Sequence, residues 1–199
     1  MKNSIEIGLV LDTETTGLRS SDELIEYAHV MFSYDKASGE VVDILDEYCE
    51  FREPSVPIGR TAQKVNGISM DMVRGRFLDE TRIAGAMLAA RKIYAHNMGF
   101  DRRFVSGLYP GLQNLHWVCT MSNINWLAQG VRSRKLDDIL SFYGISDGAR
   151  HRALDDAKGT LSAIQRRDVQ TGLPHIVALA KNRKKLLTQY PGVMEPRQC

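Results

Sequence analysis

"LVLDTETTGL", residues 9–18, starts as a run of apolar side chains and then sets Asp12 and Glu14 one residue apart, ahead of Thr15, Thr16 and Gly17. Such an apolar run suits a strand near the middle of a sheet, buried on both faces. Asp, Thr and Gly are poor choices for the interior of a buried strand. The pattern predicts a strand over residues 4–12 with the acidic pair at its C-terminal end, where side chains two apart share a face. Two carboxylates that close repel unless a positive charge neutralises them. A hard divalent cation, Mg²⁺ or Mn²⁺, does so best, because its preferred ligands are oxygens. Alone, an Asp-x-Glu pattern is more often a solvated strand end.

Working outward, residues 26–34 and 41–51 read as the next two strands, joined through turn residues 35–39 as a hairpin. Pro and Gly break residues 54–76, which predicts a loop with one helical turn. Apolar spacing then predicts a helix over 78–91, a short strand over 92–97, a helix from Phe100 and a strand over 115–120. Helical patterns follow at about 121–130, 135–143, 152–168 and 174–188. An antiparallel block followed by β-α units implies an α/β sheet flanked by helices. The length of 199 residues favours one domain, residues 1–199.

Two further polar clusters change the weight of the first. In "YAHNMGFDRRFV", residues 94–105, a strand again stops in polar residues, with Asp101 near the start of a helix. By itself that aspartate is explained as an N-terminal helix stabiliser. In "HRALDDAKGT", residues 151–160, Ala153, Ala157, Thr160, Leu161 and Ile164 share a helix face. Asp156 borders that stripe and is expected near the interior, whereas Asp155 lies opposite it and is expected in solvent. His151 precedes the helix, where the chain can turn its ring towards the same place. Four acids and a histidine, each at the end of an element, form a coherent site for metal-assisted phosphodiester hydrolysis. Two cations can activate a water and stabilise the leaving oxygen, and histidine is the side chain suited to taking a proton near neutral pH.

Composition excludes several other classes. A net charge of +2 does not by itself imply a nucleic-acid or membrane partner. Basic clusters at Arg102–Arg103, Arg132/Arg134/Lys135, Arg150/Arg152, Arg166–Arg167 and Lys181/Arg183/Lys184/Lys185 read singly as solvated helix faces, and together leave a phosphate-binding groove open. Cys49, Cys119 and Cys199 are too widely spaced for a zinc site or a disulfide framework. No signal-peptide pattern and no membrane-length apolar run is present, so a cytoplasmic protein without a membrane partner is expected.

Taken in order, DTETTG, HNxxFD and HxAxxDA resemble the three motifs of the DEDDh, or DnaQ-like, 3′→5′ exonucleases. That family includes the epsilon proofreading subunit of polymerase III, ribonuclease T and oligoribonuclease. The resemblance spans about residues 5–170 and implies an RNase H-like fold with a central mixed five-stranded sheet. It implies that Asp12, Glu14 and Asp156 hold one ion, that Asp12 reaches a second supported by Asp101, and that His151 is the general base. It also implies substrate contacts from Thr15, Thr16, Gly17 and Leu18, from the segment holding Asn66, and from His96 and Asn97. Leu18 is expected against a base. Asn66 stands where the family frequently has histidine, which leaves sugar preference open, and Cys119 stands where aspartate is common.

The expected activity is release of nucleoside 5′-monophosphates from single-stranded 3′ ends, DNA favoured, with RNA trimming or oligoribonuclease activity as the alternative. A non-catalytic module that binds nucleic acid or a polymerase is disfavoured, because all five motif residues are present. With no polymerase domain in the chain, a free-standing exonuclease or a detachable proofreading subunit is expected, monomer or homodimer. The stretch 175–190 reads as a final helix covering the sheet, its lysines in water.

Overall fold

The first strand, β1, runs from Ile5 to Thr15, longer than expected, and carries the acidic pair within its last four residues. Leu9, Val10 and Leu11 are completely buried, which places β1 at the centre of the molecule. A computed structural model describes residues 4–145 and 151–181. β2 (Leu24–Asp35) and β3 (Val41–Phe51) follow as an antiparallel meander, and β4 (Lys92–Ala95) and β5 (Trp117–Cys119) add to the other side of β1 in parallel. The order is β3-β2-β1-β4-β5, a mixed five-stranded sheet of the expected RNase H-like kind.

Alternation along β1 divides the core in two. Val10 faces a cluster with Val30, Phe32, Tyr94, Trp126, Leu140, Leu161 and Ile164. Leu9 and Leu11 face the other, with Tyr27, Ile83, Met87, Phe104 and Trp117. Helices α3 (Glu80–Ala89) and α4 (Met98–Leu108) cover the second face, and α6 (Leu136–Tyr143), α7 (Ala153–Ile164) and α8 (His175–Lys181) the first. Each buried aliphatic or aromatic side chain contributes roughly 1.5–3 kcal/mol on leaving water, so the sheet is held from both sides.

The broken segment 54–76 differs from expectation. It holds two short helices, α1 (Arg60–Asn66) and α2 (Met70–Val73), not one turn. Gly67, at φ 70°, ends α1, and the breaker that read as loop is that helix's left-handed C-terminal cap. The stretch 121–130 is likewise shorter than expected: α5 (Thr120–Asn123) and a 3₁₀ turn at Leu127–Gln129. No helix among the described residues is long and apolar enough to cross a membrane. The basic residues Arg150, Arg183, Lys184 and Lys185, Cys199 and the end of the expected final helix lie outside the described residues.

Candidate active site

Asp12 and Glu14 point to the α7 face of β1, and Asp156 comes up from the first turn of α7. Oxygens of these three carboxylates lie within 4.8 Å of one another. Asp101, in the first turn of α4 and 2% exposed, approaches from the other helix layer, where the Thr13 hydroxyl donates to its Oδ1 at 2.8 Å. The structure thus gathers the four acids of three separate motifs. His151 precedes α7, is half-buried and takes a left-handed φ of 61°. Asp155 stands outside the carboxylate cluster, as the helix-face argument requires, but it is half-buried rather than in solvent.

Burial and mutual repulsion leave these acids reluctant to ionise. Burial pushes Glu14 up to about 8, against a donated hydrogen bond from Asn66 and with added repulsion from Asp156, Glu26 and Asp101. Burial, offset by the Thr13 hydrogen bond, pushes Asp101 up to about 7. Asp12 is raised well above the usual carboxylate range by burial, then by Asp101, Asp156, Glu14 and Glu26. Carboxylates that burial and crowding strain in this way have the chemistry of a hard-cation site: the charge they lack is the one a divalent ion brings. The donor set therefore fits Mg²⁺ or Mn²⁺.

Beside the acids lies a cavity of about 570 Å³, walled by Glu14, Thr15, Thr16, Gly17, Leu18, Asn66, Arg60 and Phe100 among others. Its floor is tightly pinned. Pairing with β2 shifts register directly after Glu14, an irregularity of the kind that re-aims a strand's side chains. Thr15 Oγ1 then donates to Gly17 O at 2.7 Å, and the Thr16 carbonyl accepts from Gly59 N at 2.8 Å. A Cβ on Gly17 would fall 2.6 Å from the Asp22 carboxylate, so a larger residue there would have to displace that side chain. Leu18 is left 78% exposed at the rim, its carbonyl held by Arg103 Nη2 at 3.0 Å. Asn66 donates from Nδ2 to Glu14 Oε2 at 3.2 Å and accepts from Ile68 N at 3.0 Å, which fixes its amide.

His96 and Asn97 do not line this cavity. The His96 ring bridges Thr120 Oγ1 at 2.9 Å and the Arg134 carbonyl at 2.8 Å, so both nitrogens are spent tying β4 to the following loops. Asn97 sits exposed at the N-cap of α4 with φ 63°, a left-handed turn that asparagine tolerates better than most residues. Their place beside Asp101 in the motif has a structural cause.

Sequence reasoning missed Thr13, Phe100, Arg103 and above all Glu26 and Arg152. Glu26 is wholly buried on β2, opposite Glu14 in register, and accepts from Arg152 Nη2 at 2.6 Å. The strand was expected to begin at residue 26, whereas it begins at Leu24, which makes Glu26 an interior carboxylate. An acid inside a buried strand must be paired, and that signal would have found it.

The comparisons agree with this geometry. The RNase_T exonuclease family matches residues 9–164. A DNA polymerase III PolC-type protein of Thermotoga petrophila is 32% identical over 164 residues, covering 79% of this chain and 12% of that protein. Its counterpart in Caldanaerobacter subterraneus is 32% identical over 158 residues, covering 76% and 11%. This chain therefore spans about an eighth of those relatives' length. Among solved structures, exonuclease X in complex with 5′-overhanging duplex DNA shares the fold at a TM-score of 0.58, with 22% identity, 85% of this chain and 99% of that chain covered. Escherichia coli exonuclease I in complex with a dA16 oligonucleotide does so at 0.65, with 18% identity, 87% of this chain and 42% of that chain covered. With the family model matched over residues 9–164, a span that holds all three motifs, the chain belongs to the RNase_T exonuclease family.

Proposed function

We propose that residues 1–199 act as one exonuclease domain, with a motif-bearing core at about 5–170, that releases nucleoside 5′-monophosphates from single-stranded 3′ ends, DNA favoured. The observation that carries this reading is the convergence of Asp12, Glu14 and Asp156 within 4.8 Å beside a cavity large enough for a nucleotide. Those three would hold one Mg²⁺ or Mn²⁺, and Asp12 with Asp101 a second. When bound, the ions supply Lewis-acid activation of water and neutralise charge on the scissile phosphate.

The chain's own residues do the rest. The pinned floor at Thr15, Thr16 and Gly17 receives the terminal nucleotide, with Leu18 against its base and Asn66 beside its sugar. Thr13, on β1, donates to Asp101 and steadies its carboxylate beside the other acids. His151 takes a proton from the attacking water on a ring nitrogen and passes it to solvent. Relatives named as DNA polymerases support DNA ends and a polymerase as a working partner, in the cytoplasm.

The test is a time course with Mg²⁺ on matched single-stranded DNA, single-stranded RNA, duplex and dinucleotide substrates. Mononucleotides released from single-stranded DNA fastest are expected. Faster loss of RNA or dinucleotide replaces DNA with RNA as the substrate, and no shortening from the 3′ end defeats the reading.

A further inference from the structure

Glu26 is a carboxylate the proposed reaction does not use, yet it is 0% exposed and sits at the edge of the acid cluster, where its charge raises both Asp12 and Glu14. It is not among the three carboxylates that converge. Its oxygens are occupied instead. Arg152 donates from Nε to both, at 3.2 Å each, and from Nη2 to Oε1 at 2.6 Å; the Ala153 amide donates to Oε2 at 3.1 Å, and the Cys49 thiol lies 3.5 Å from Oε1. The guanidinium also stacks over Phe51, 5.3 Å from the ring centre.

What this holds in place is the start of α7. Arg152 is the N-cap, Ala153 is the first helical residue, and the Arg152 carbonyl accepts from the Asp156 amide at 3.0 Å. The residue before Arg152 is His151, whose φ of 61° is unfavourable for a non-glycine residue and persists only where its surroundings impose it. A two-pronged charged clamp on the adjacent residue is such a constraint. We propose that the Glu26–Arg152 pair is a positioning device for the exonuclease reaction: anchored on β2, it forces His151 into its left-handed turn and so sets the ring against the acid cluster. By occupying both Glu26 oxygens, Arg152 also keeps that carboxylate from turning into the neighbouring cluster. This rests on His151 being the base.

The experiment is a double-mutant cycle of Arg152→Ala with His151→Ala on a 3′-labelled single-stranded oligonucleotide, alongside Arg152→Lys, Glu26→Gln and thermal unfolding of each. In the otherwise native protein His151→Ala is expected to lower kcat about 100-fold or more. Arg152→Ala alone is expected to lower kcat by a similar factor with KM within about threefold, and adding His151→Ala then to cost only a few-fold more, because the base has already left its place. Arg152→Lys restores the melting temperature but only part of kcat, since a point charge cannot grip both oxygens. Without any turnover, the His151 ring resonance, assigned by its loss in His151→Ala, is expected to move in Arg152→Ala while the other histidines stay put. Effects that multiply in the cycle, or an unmoved His151 resonance, overturn the positioning role and leave the exonuclease reading intact. A protein whose His151→Ala variant keeps full kcat overturns the reading and this inference with it.

Discussion

Two helices deliver acids to this site through the same backbone trick. α4 and α7 are each entered through a left-handed residue, Asn97 at φ 63° and His151 at φ 61°. Beyond that the two entrances diverge. At α4 the acid, Asp101, is itself gripped, by a neutral hydroxyl from Thr13 on β1. At α7 a grip falls on the N-cap residue, Arg152, through a buried charge on β2. Asparagine visits left-handed backbone cheaply, whereas histidine does so at a cost. Asn97 therefore enters α4 at little cost, whereas the entrance to α7 carries strain at His151. Local strain of this sort gathers at sites of chemistry.

The sharpest break removes what both entrances serve. Asp12→Ala or Asp156→Ala is expected to lower kcat by roughly a thousandfold or more, the scale of losing electrostatic stabilisation at a reacting centre. The metal-free fold should survive, because each loss relieves repulsion among acids already raised by crowding. Asp12→Asn should even raise the melting temperature without cations at pH 8. Full Mg²⁺-dependent degradation by either alanine variant would remove these residues from the site.

A pH series tests the same crowding in the intact chain. Glu14 is raised from 4.5 to about 8 and Asp101 from 3.8 to about 7, chiefly by burial. For an acid raised on folding, the stability it lends is full below the unfolded value and is lost as pH climbs through the folded one. Without cations, the melting temperature should therefore fall between about pH 5 and 8 on account of these two groups. Mn²⁺ should restore more at pH 8 than at pH 5.5, and calorimetry in buffers of different ionisation heat should show protons released as the ion binds. A melting temperature that rises over that range without cations would mean the acids are already neutralised by protein groups.

How much of this could be read from the chain depends on where each signal lies. The sheet, its order of elements and the acids at Asp12, Glu14, Asp101 and Asp156 follow from apolar periodicity interrupted by carboxylates, which is a local signal. The α1–α2 segment was hidden because glycines that mark a loop also cap a short helix, as Gly59 and Gly67 do for α1. Glu26 and Arg152 were hidden for a different reason. They lie 126 positions apart, and with β2 expected to start at residue 26 the glutamate read as a strand end rather than as a buried acid in need of a partner. His96 lies five positions before the motif aspartate, and its ring nitrogens sit against Thr120 and the Arg134 carbonyl, contacts of which its sequence gives no sign.

Removing the α4 grip gives a smaller effect than the acids and isolates one arm of the comparison. Thr13→Val keeps the shape of a buried side chain and removes the hydroxyl that donates to Asp101. Loss of a hydrogen bond to a buried charged group costs about 1.5–3 kcal/mol. Asp101 should be pushed further above about 7, so the pH at which activity reaches half its plateau should rise. A kcat loss near tenfold is expected, about the factor that 1.4 kcal/mol makes, with the loss shrinking as pH is raised. An equal loss at every pH would mean that Thr13 positions Asp101 without supporting its charge.

The mildest prediction separates order from chemistry at the two left-handed turns. Glycine adopts such backbone freely, while alanine must pay about 1–2 kcal/mol there. At Asn97, which is exposed and makes no side-chain cap hydrogen bond, glycine should leave both melting temperature and kcat nearly native, and alanine should lower only the melting temperature. At His151, glycine should likewise spare the fold, because it relieves the strained φ, but it should remove the base and with it about 100-fold of kcat. The contrast lies in which measurement moves. With glycine, turnover alone should fall at position 151, while at position 97 both unfolding and turnover should stay near native. If Asn97→Gly lowered kcat as far as His151→Gly does, the α4 entrance would also take part in the chemistry, and Asn97 would return to the substrate contacts that its place in the motif first suggested.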